Sequence, residues 1–520
     1  MEVNGVKNAL LVIGLALWLS PKASGKITDF TKKILAASDP KNSPKQNWEN
    51  LEKLYPELET ADSKEKALFY SQEADTVYKA GLPRLATALL VEAQKNMEAK
   101  NFPKWLGRNW QDAAKASKKS DLSQILTQIT LNEVLPPGFG QDWDYFNGLR
   151  LEKSGTKEDA KKAFLNVDQN SWYYPNVLFH RAIIAVSEDN FEEAKKNLRT
   201  SIVRLDLRQG ASYPEKVRVK LRSELWLNLA RIYYETSKFE LSIQAYRNVE
   251  RATPFYSDAL FEQSWALFMA GYPNHALGSL YSLNSPWYSA RYKPEADMLK
   301  SIIYFWLCDY NESRVSLAQF ITKHQTTIKG LDDFLKKKDT TPKEAWDIFE
   351  NFITGVSSES IGIDRNLLAE AIYQESLVPF REHLAGLYDE KKKLQVKGIF
   401  GSKSLDHVLG VLDRQIEMSK LLLGEQLLRE LMVLHQDFIR LRDHAELLYV
   451  ELLTSEKDKL LGKELYKDSK ITDSSSKKPS VWNLGVKQTW AASDKNEFWT
   501  DEVGFYVFKE KSMCSPVSKE

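Results

Sequence analysis

Along Ser223–Pro254, "SELWLNLARIYYETSKFELSIQAYRNVERATP", large apolar residues recur at steps of three and four with small residues set between them. That pattern predicts two amphipathic helices packed on each other. Farther along, Arg365 to Val396 keeps the helical period with Leu367, Leu368, Ile372, Leu377, Phe380, Leu384 and Leu387. From Leu405 a proline-free run of roughly 60 residues predicts one long helix, with a coiled-coil spacing of its apolar positions. Such a helix folds against the 365–396 helix as an antiparallel hairpin or pairs with another chain. Gly410 and Gly424 weaken it locally. A polar stretch, Lys467–Ser480, reads as a linker. The period then changes to two. Val486–Trp490 and Val503–Phe508 predict a small β-hairpin. A segment of this length cannot bury Trp482, Trp490, Trp499, Phe505, Tyr506 and Phe508 on its own, so it is expected to dock onto the helices or onto a partner.

Counted from Ser223, positions 4, 7, 8 and 11 are Trp226, Leu229, Ala230 and Tyr233; positions 20, 24 and 32 are Ser242, Tyr246 and Pro254. This resembles the tetratricopeptide (TPR) repeat. Windows starting at Ala67, Gln141, Pro175, Ser257 and Pro294 carry the same small and large positions, including Ala182 with Ala194, Ser264 with Ala276, and Ser301 with Ser313. Asn101–Val134 reads as an irregular pair. The resemblance implies stacked helix pairs with a shared core and a concave groove lined by positions 2, 5, 9 and 12. Positions 5 and 9 of the four central windows are Tyr145 and Leu149, Phe179 and Ile183, Leu227 and Arg231, and Phe261 and Trp265. This stripe is either a docking surface for a peptide or packing against the chain itself.

The expected fold is therefore mostly α: a TPR-like helical solenoid, then a long antiparallel helical hairpin, then a small C-terminal β-hairpin element. The expected segments are 1–25, 26–66 (an N-terminal helical cap), 67–330 (the solenoid), 331–466 (hairpin or coiled coil), 467–480 (linker) and 481–520 (the β element). The first is read as a signal peptide. Its apolar run, Ala9–Leu19, is too short to span a bilayer, and small residues follow at Ala23–Gly25. Charge narrows the partners: 72 basic against 71 acidic residues leave no global field for nucleic acid. Only two cysteines are present, Cys308 and Cys514. They exclude a disulfide scaffold and a zinc site, and leave one bridge or two free thiols open.

Candidate chemistry is sparse, and no cofactor or metal is expected. Gly398–Ser404, "GIFGSKS", lacks the lysine spacing of a phosphate loop. Glu375, within "AEAIYQES", resembles the catalytic acid of lytic transglycosylases, but a long charged helix follows where the rest of that motif belongs. His435, Asp437 and His444 are too widely spaced to share an ion. The ending "NEFWTDEVGFYVFKEKSMC" resembles that of periplasmic TPR proteins of gliding-motility machineries, through Trp499, Asp501, Glu502, Gly504, Tyr506, Phe508 and Cys514. The resemblance implies a periplasmic, non-enzymatic scaffold with protein partners in an envelope complex, peripheral to the outer membrane. A peptidoglycan-acting enzyme or accessory using Glu375 is the alternative.

Overall fold

The computed structural model describes residues 28–96, 140–153, 156–207, 215–288, 293–336, 341–355, 363, 365–374, 376–397, 402–461, 488–492 and 497–514. The expected signal peptide, the 467–480 linker, the 101–134 pair and Glu375 lie outside them. The chain is mostly helical, 77%, with 19 helices and one two-stranded sheet among the described residues. It divides into two compact units.

The first unit draws on Met1–Ser171, Thr341–Asp347 and Gln374–Leu427. Its helices are α1 (Asp29–Ala37), α2 (Pro44–Glu52), α3 (Tyr55–Leu58), α4 (Ser63–Lys79), α5 (Pro83–Lys95), α6 (Gly140–Lys153) and α7 (Lys157–Leu165), with α18 (Val378–Lys397). The start of α16 (Pro342–Thr354) and the first part of α19 (Ser402–Leu460) complete it. Ser43 and Asp62 open α2 and α4 with capping boxes, which satisfy the first free N–H groups of each helix. Phe30, Ile34, Leu51, Leu58, Leu68 and Phe69 form a core among α1–α4. At the start of α5 a remote residue caps the helix: the buried Glu390 carboxylate accepts the Arg84 and Leu85 N–H groups at 3.0 and 2.9 Å. Gly424 has a packing reason, because a Cβ there would lie 1.9 Å from the carbonyl oxygen of Pro342. Gly410 stands in open space, with only Arg414 at 3.8 Å.

Glu73 on α4 is fully buried, and the Tyr55 hydroxyl donates to one of its oxygens. Burial pushes its carboxyl up to about 8, against a smaller opposing effect of the Tyr55 bond. The folded state therefore prefers the protonated acid. The stability it contributes is complete below the unfolded value near 4.5 and is lost as pH rises toward about 8, by up to about 1.4 kcal/mol per pH unit. Thermal melts from pH 5 to 8.5 should show Glu73→Gln flattening this slope and melting above the parent at pH 8.5. Parallel curves for the two proteins would refute the assignment.

The second unit draws on Trp172–Thr340, Ile348–Tyr373 and Leu428–Glu520. It contains α8 (Tyr174–Ser187), α9 (Phe191–Leu207), α10 (Glu215–Glu235), α11 (Phe239–Tyr246), α12 (Tyr256–Met269), α13 (Pro273–Leu283), α14 (Pro294–Trp306), α15 (Tyr310–Leu335) and α17 (Arg365–Tyr373). Helices pack as α8 with α9, α10 with α11, α12 with α13 and α14 with α15, and α9 meets α10, α11 meets α12 and α13 meets α14. One core runs from Phe179 through Leu229, Tyr246 and Leu267 to Tyr304. Small residues bring paired backbones together. Ser242 Oγ donates to the Ala230 carbonyl at 2.8 Å, and Ser301 and Ser313 each donate to the other's carbonyl at 2.8 and 3.0 Å. The second part of α19 packs on α14 and α15 through Leu441, Ala445, Leu448 and Leu452, and His435 Nε2 lies 3.2 Å from Asp332 Oδ1.

The turns between paired helices repeat one geometry. The N–H groups of Leu82, Thr156, Asn190, Lys238, Tyr272 and Asp309 each donate to the carbonyl five residues back, at 2.8–3.1 Å. Just before five of these donors stands a left-handed residue: Gly81, Asp189, Ser237, Gly271 or Cys308. This is the Schellman way of ending a helix. A side chain with φ near 55° is strained, so Ser237→Gly should stabilise the second unit by about 0.5–1 kcal/mol. Chemical denaturation reads this directly, and a lower midpoint would refute it.

The expected β-hairpin is corrected. Strands β1 (Trp490–Ala491) and β2 (Tyr506–Val507) pair in parallel, Trp490 against Tyr506 and Ala491 against Val507. A hairpin requires antiparallel strands. Contacts of residues 497–510 with α12 and α13, rather than the alternation, set the course of the chain here.

Candidate functional site: the C-terminal clasp

The C-terminal segment is held by side chains that the helix pairs present. Gly278 on α13 makes room for it: a Cβ there would sit 1.7 Å from the Tyr506 carbonyl oxygen. Asn274 then acts like a neighbouring strand. Its main-chain oxygen accepts the Phe508 N–H at 3.1 Å, its Oδ1 accepts the Glu510 N–H at 2.9 Å, and its Nδ2 donates to the Glu510 carbonyl at 3.0 Å. The Tyr281 ring stacks on Phe498, with centroids 4.6 Å apart, and meets Tyr506 and Phe508 edge-on. Arg251 donates to the carbonyls of Thr500 and Asp501, and the Arg247 and Arg251 guanidinium groups lie 5.2 and 5.3 Å from the Phe505 ring centre. A disulfide between Cys514 and Cys308 closes the clasp. Of the two alternatives left open by the cysteine count, the structure takes the bridge.

Each motif residue has a place in this arrangement. Gly504 adopts φ 91°, donates its N–H to Ser282 Oγ at 2.9 Å, and would carry a Cβ only 2.6 Å from the Tyr256 hydroxyl. The buried Tyr506 accepts the Trp499 N–H on its hydroxyl at 2.9 Å. Glu502 and Asp501 form the turn between Trp499 and Gly504, and Phe508 is half-buried. Trp499 itself is 63% exposed. Beside it a cleft of about 700 Å³ lies between the clasp and the helices, lined by Arg251, Pro254, Ser257, Trp287, Tyr288 and Asp501.

Of the two readings of the position-5 and position-9 stripe, the burial of its residues favours packing against the chain itself. Tyr145, Phe179, Leu227 and Phe261 are all buried, the last three within the second unit's core. Large apolar side chains gain most when removed from water, and neighbouring elements of the same chain are available to cover them. Leu149 and Trp265 are half-buried, and Ile183 remains 42% exposed. Arg231 is engaged by Glu262 in a two-pronged pair at 2.6 and 2.8 Å. Sequence reasoning did not single out Arg247, Arg251, Asn274, Gly278 or Tyr281 as receivers of the clasp. The only available signal was Gly278, a glycine inside an otherwise helical pattern.

Two histidines pair with carboxylates. His324 Nε2 lies 3.3 Å from Asp297, alongside the His435–Asp332 pair. His275, half-buried beside Arg247, is pushed down to about 4, first by burial and then by the Arg247 charge. No group of three or more metal-ligating residues occurs among the described residues. No described helix is long and apolar enough to cross a membrane. No protein-family model matches the chain, and no curated protein shows significant similarity to it.

Proposed function

We propose that this protein is a non-enzymatic interaction scaffold of a bacterial envelope complex, built on a TPR-like helical solenoid over residues 67–330. The observation that carries this reading is the recurring turn. In windows starting at residues 67, 141, 175, 223, 257 and 294, the N–H of position 16 donates to the carbonyl of position 11. Six equivalent turns in register are what a stack of like helix pairs would produce. A stack of this kind offers surface rather than reactive groups, so its partners are proteins. The partner surface favoured here is the cleft beside Trp287 and Trp499, because these tryptophans are 49% and 63% exposed while most described aromatics are buried or half-buried. A periplasmic location is supported by the Cys308–Cys514 bridge, since such bridges persist in oxidising compartments; association with the outer membrane rests on the C-terminal motif alone. A link to motility rests on the C-terminal motif alone.

The test is crosslinking in intact cells, with mass spectrometry of what is captured. A reproducible set of envelope proteins should be crosslinked to the full chain and lost on joint replacement of Trp287 and Trp499 by Ala. Capture that persists in this variant would move the partner surface elsewhere. Loss of a peptidoglycan-cleaving activity in Glu375→Gln would replace the scaffold reading with the enzyme.

A further inference from the structure

A second cavity, of about 330 Å³, lies under the clasp and is lined by Arg247, Arg251, Tyr256, Gln263, Gly504 and Phe505 among others. Its polar groups are unbalanced. Arg247 Nε and Nη1 are buried and have no hydrogen-bond partner among the described residues. The same holds for Nε2 of Gln263, a side chain only 4% exposed. One carboxylate, Glu250, lines the cavity, but it is half exposed and pairs with Arg222 at 3.6 Å; Glu262, outside the lining, is held by Arg231 and the Tyr246 hydroxyl. The Tyr256 hydroxyl donates to the Val503 carbonyl at 3.3 Å, and Arg251 spends donors on Thr500 and Asp501. Donors thus remain without acceptors around the half-buried Arg247, whose Nε and Nη1 are themselves buried.

A cation removed from water without a counter-charge is costly unless something neutralises it. The Phe505 ring offsets part of the cost for Arg247. The remaining cost shows in its surroundings: burial pushes Arg247 down to about 10. We propose that this cavity is a binding site for a small oxyanion, a phosphate or a carboxylate, with Arg247 as its charge partner and Gln263 Nε2 as a second donor. The planar guanidinium edge suits either anion, and the enclosed setting strengthens each bond. Because the clasp forms one wall through Gly504 and Phe505, a bound anion would also tie the clasp down.

The experiment titrates the oxidised full-length protein with inorganic phosphate, and separately with acetate, at constant ionic strength by isothermal titration calorimetry. Saturable binding of at least one is expected, and comparison of the two arms identifies the preferred anion. Arg247→Met keeps the apolar stem against Phe505 and should weaken binding about tenfold or more; Gln263→Leu should weaken it severalfold. If Arg247→Met does not fold, Gln263→Leu carries the test. Absence of saturable binding by both anions, or unchanged affinity in the variants, overturns the proposal.

Discussion

Gly278→Val should detach the C-terminal clasp and lower the stability of the second unit by about 3–5 kcal/mol, the worth of re-exposing two or three large side chains. The collision leaves no cheap escape. The new Cβ would lie 1.7 Å from the carbonyl oxygen of Tyr506 and 2.3 Å from its carbonyl carbon, both main-chain atoms. Either α13 shifts within its pair or β2 lifts off, and in the second case Val503, Tyr506 and the packed face of Phe505 return to water. The measurements are a thermal melt and limited proteolysis, in which the variant should lose its C-terminus early. Gly410→Ala is the control, because that glycine faces open space within α19. It should stabilise slightly, by about 0.5–1 kcal/mol, through helix propensity alone. If Gly278→Val melted with the parent, β2 would not lie on α13 as described.

Cys514→Ser should be nearly as damaging. The bridge joins residues 206 apart, and closing so long a loop in the unfolded chain corresponds to about 5 kcal/mol in the chain-entropy picture. Native disulfides typically return about 2–5 kcal/mol, so a loss in that range is expected, with a matching fall when the parent is melted under reducing conditions. Reduction should leave Cys514→Ser unchanged. A further fall on reduction would mean that another thiol contributes, which two cysteines do not allow. The double variant Gly278→Val with Cys514→Ser should lose less than the sum of the two, because both substitutions release the same segment.

Much of the helical architecture is legible in the residues themselves. The small positions Ala182, Ala194, Ala230, Ser242, Ser301 and Ser313 were readable as close contacts, and all six are buried between paired helices. The long Pro-free stretch is one helix from Ser402 to Leu460. Other features were not legible. Period-two alternation at the C-terminus suggested a hairpin, whereas the pairing is parallel, because alternation reports which face is buried and is silent on the partner's direction. The stripe at positions 5 and 9 reads equally as a groove or as packing within the chain, and Phe179, Leu227 and Phe261 are core residues. An apolar side chain in a sequence says only that it wants burial; it cannot say whether the same chain or another supplies the cover.

By itself the sequence determined most of the helices and their spacing, because intervals of three and four residues, small contacts and turn residues act over a few positions; the single helix expected over 365–396 is instead two, α17 and α18. Only the tertiary structure decided that Cys308 meets Cys514, that Gly278 lies under Tyr506, and that Arg247 Nε and Nη1 are buried without an acceptor among the described residues. Those depend on segments more than 200 residues apart reaching one place. Such encounters follow from the packing of the whole chain, and no local pattern encodes them.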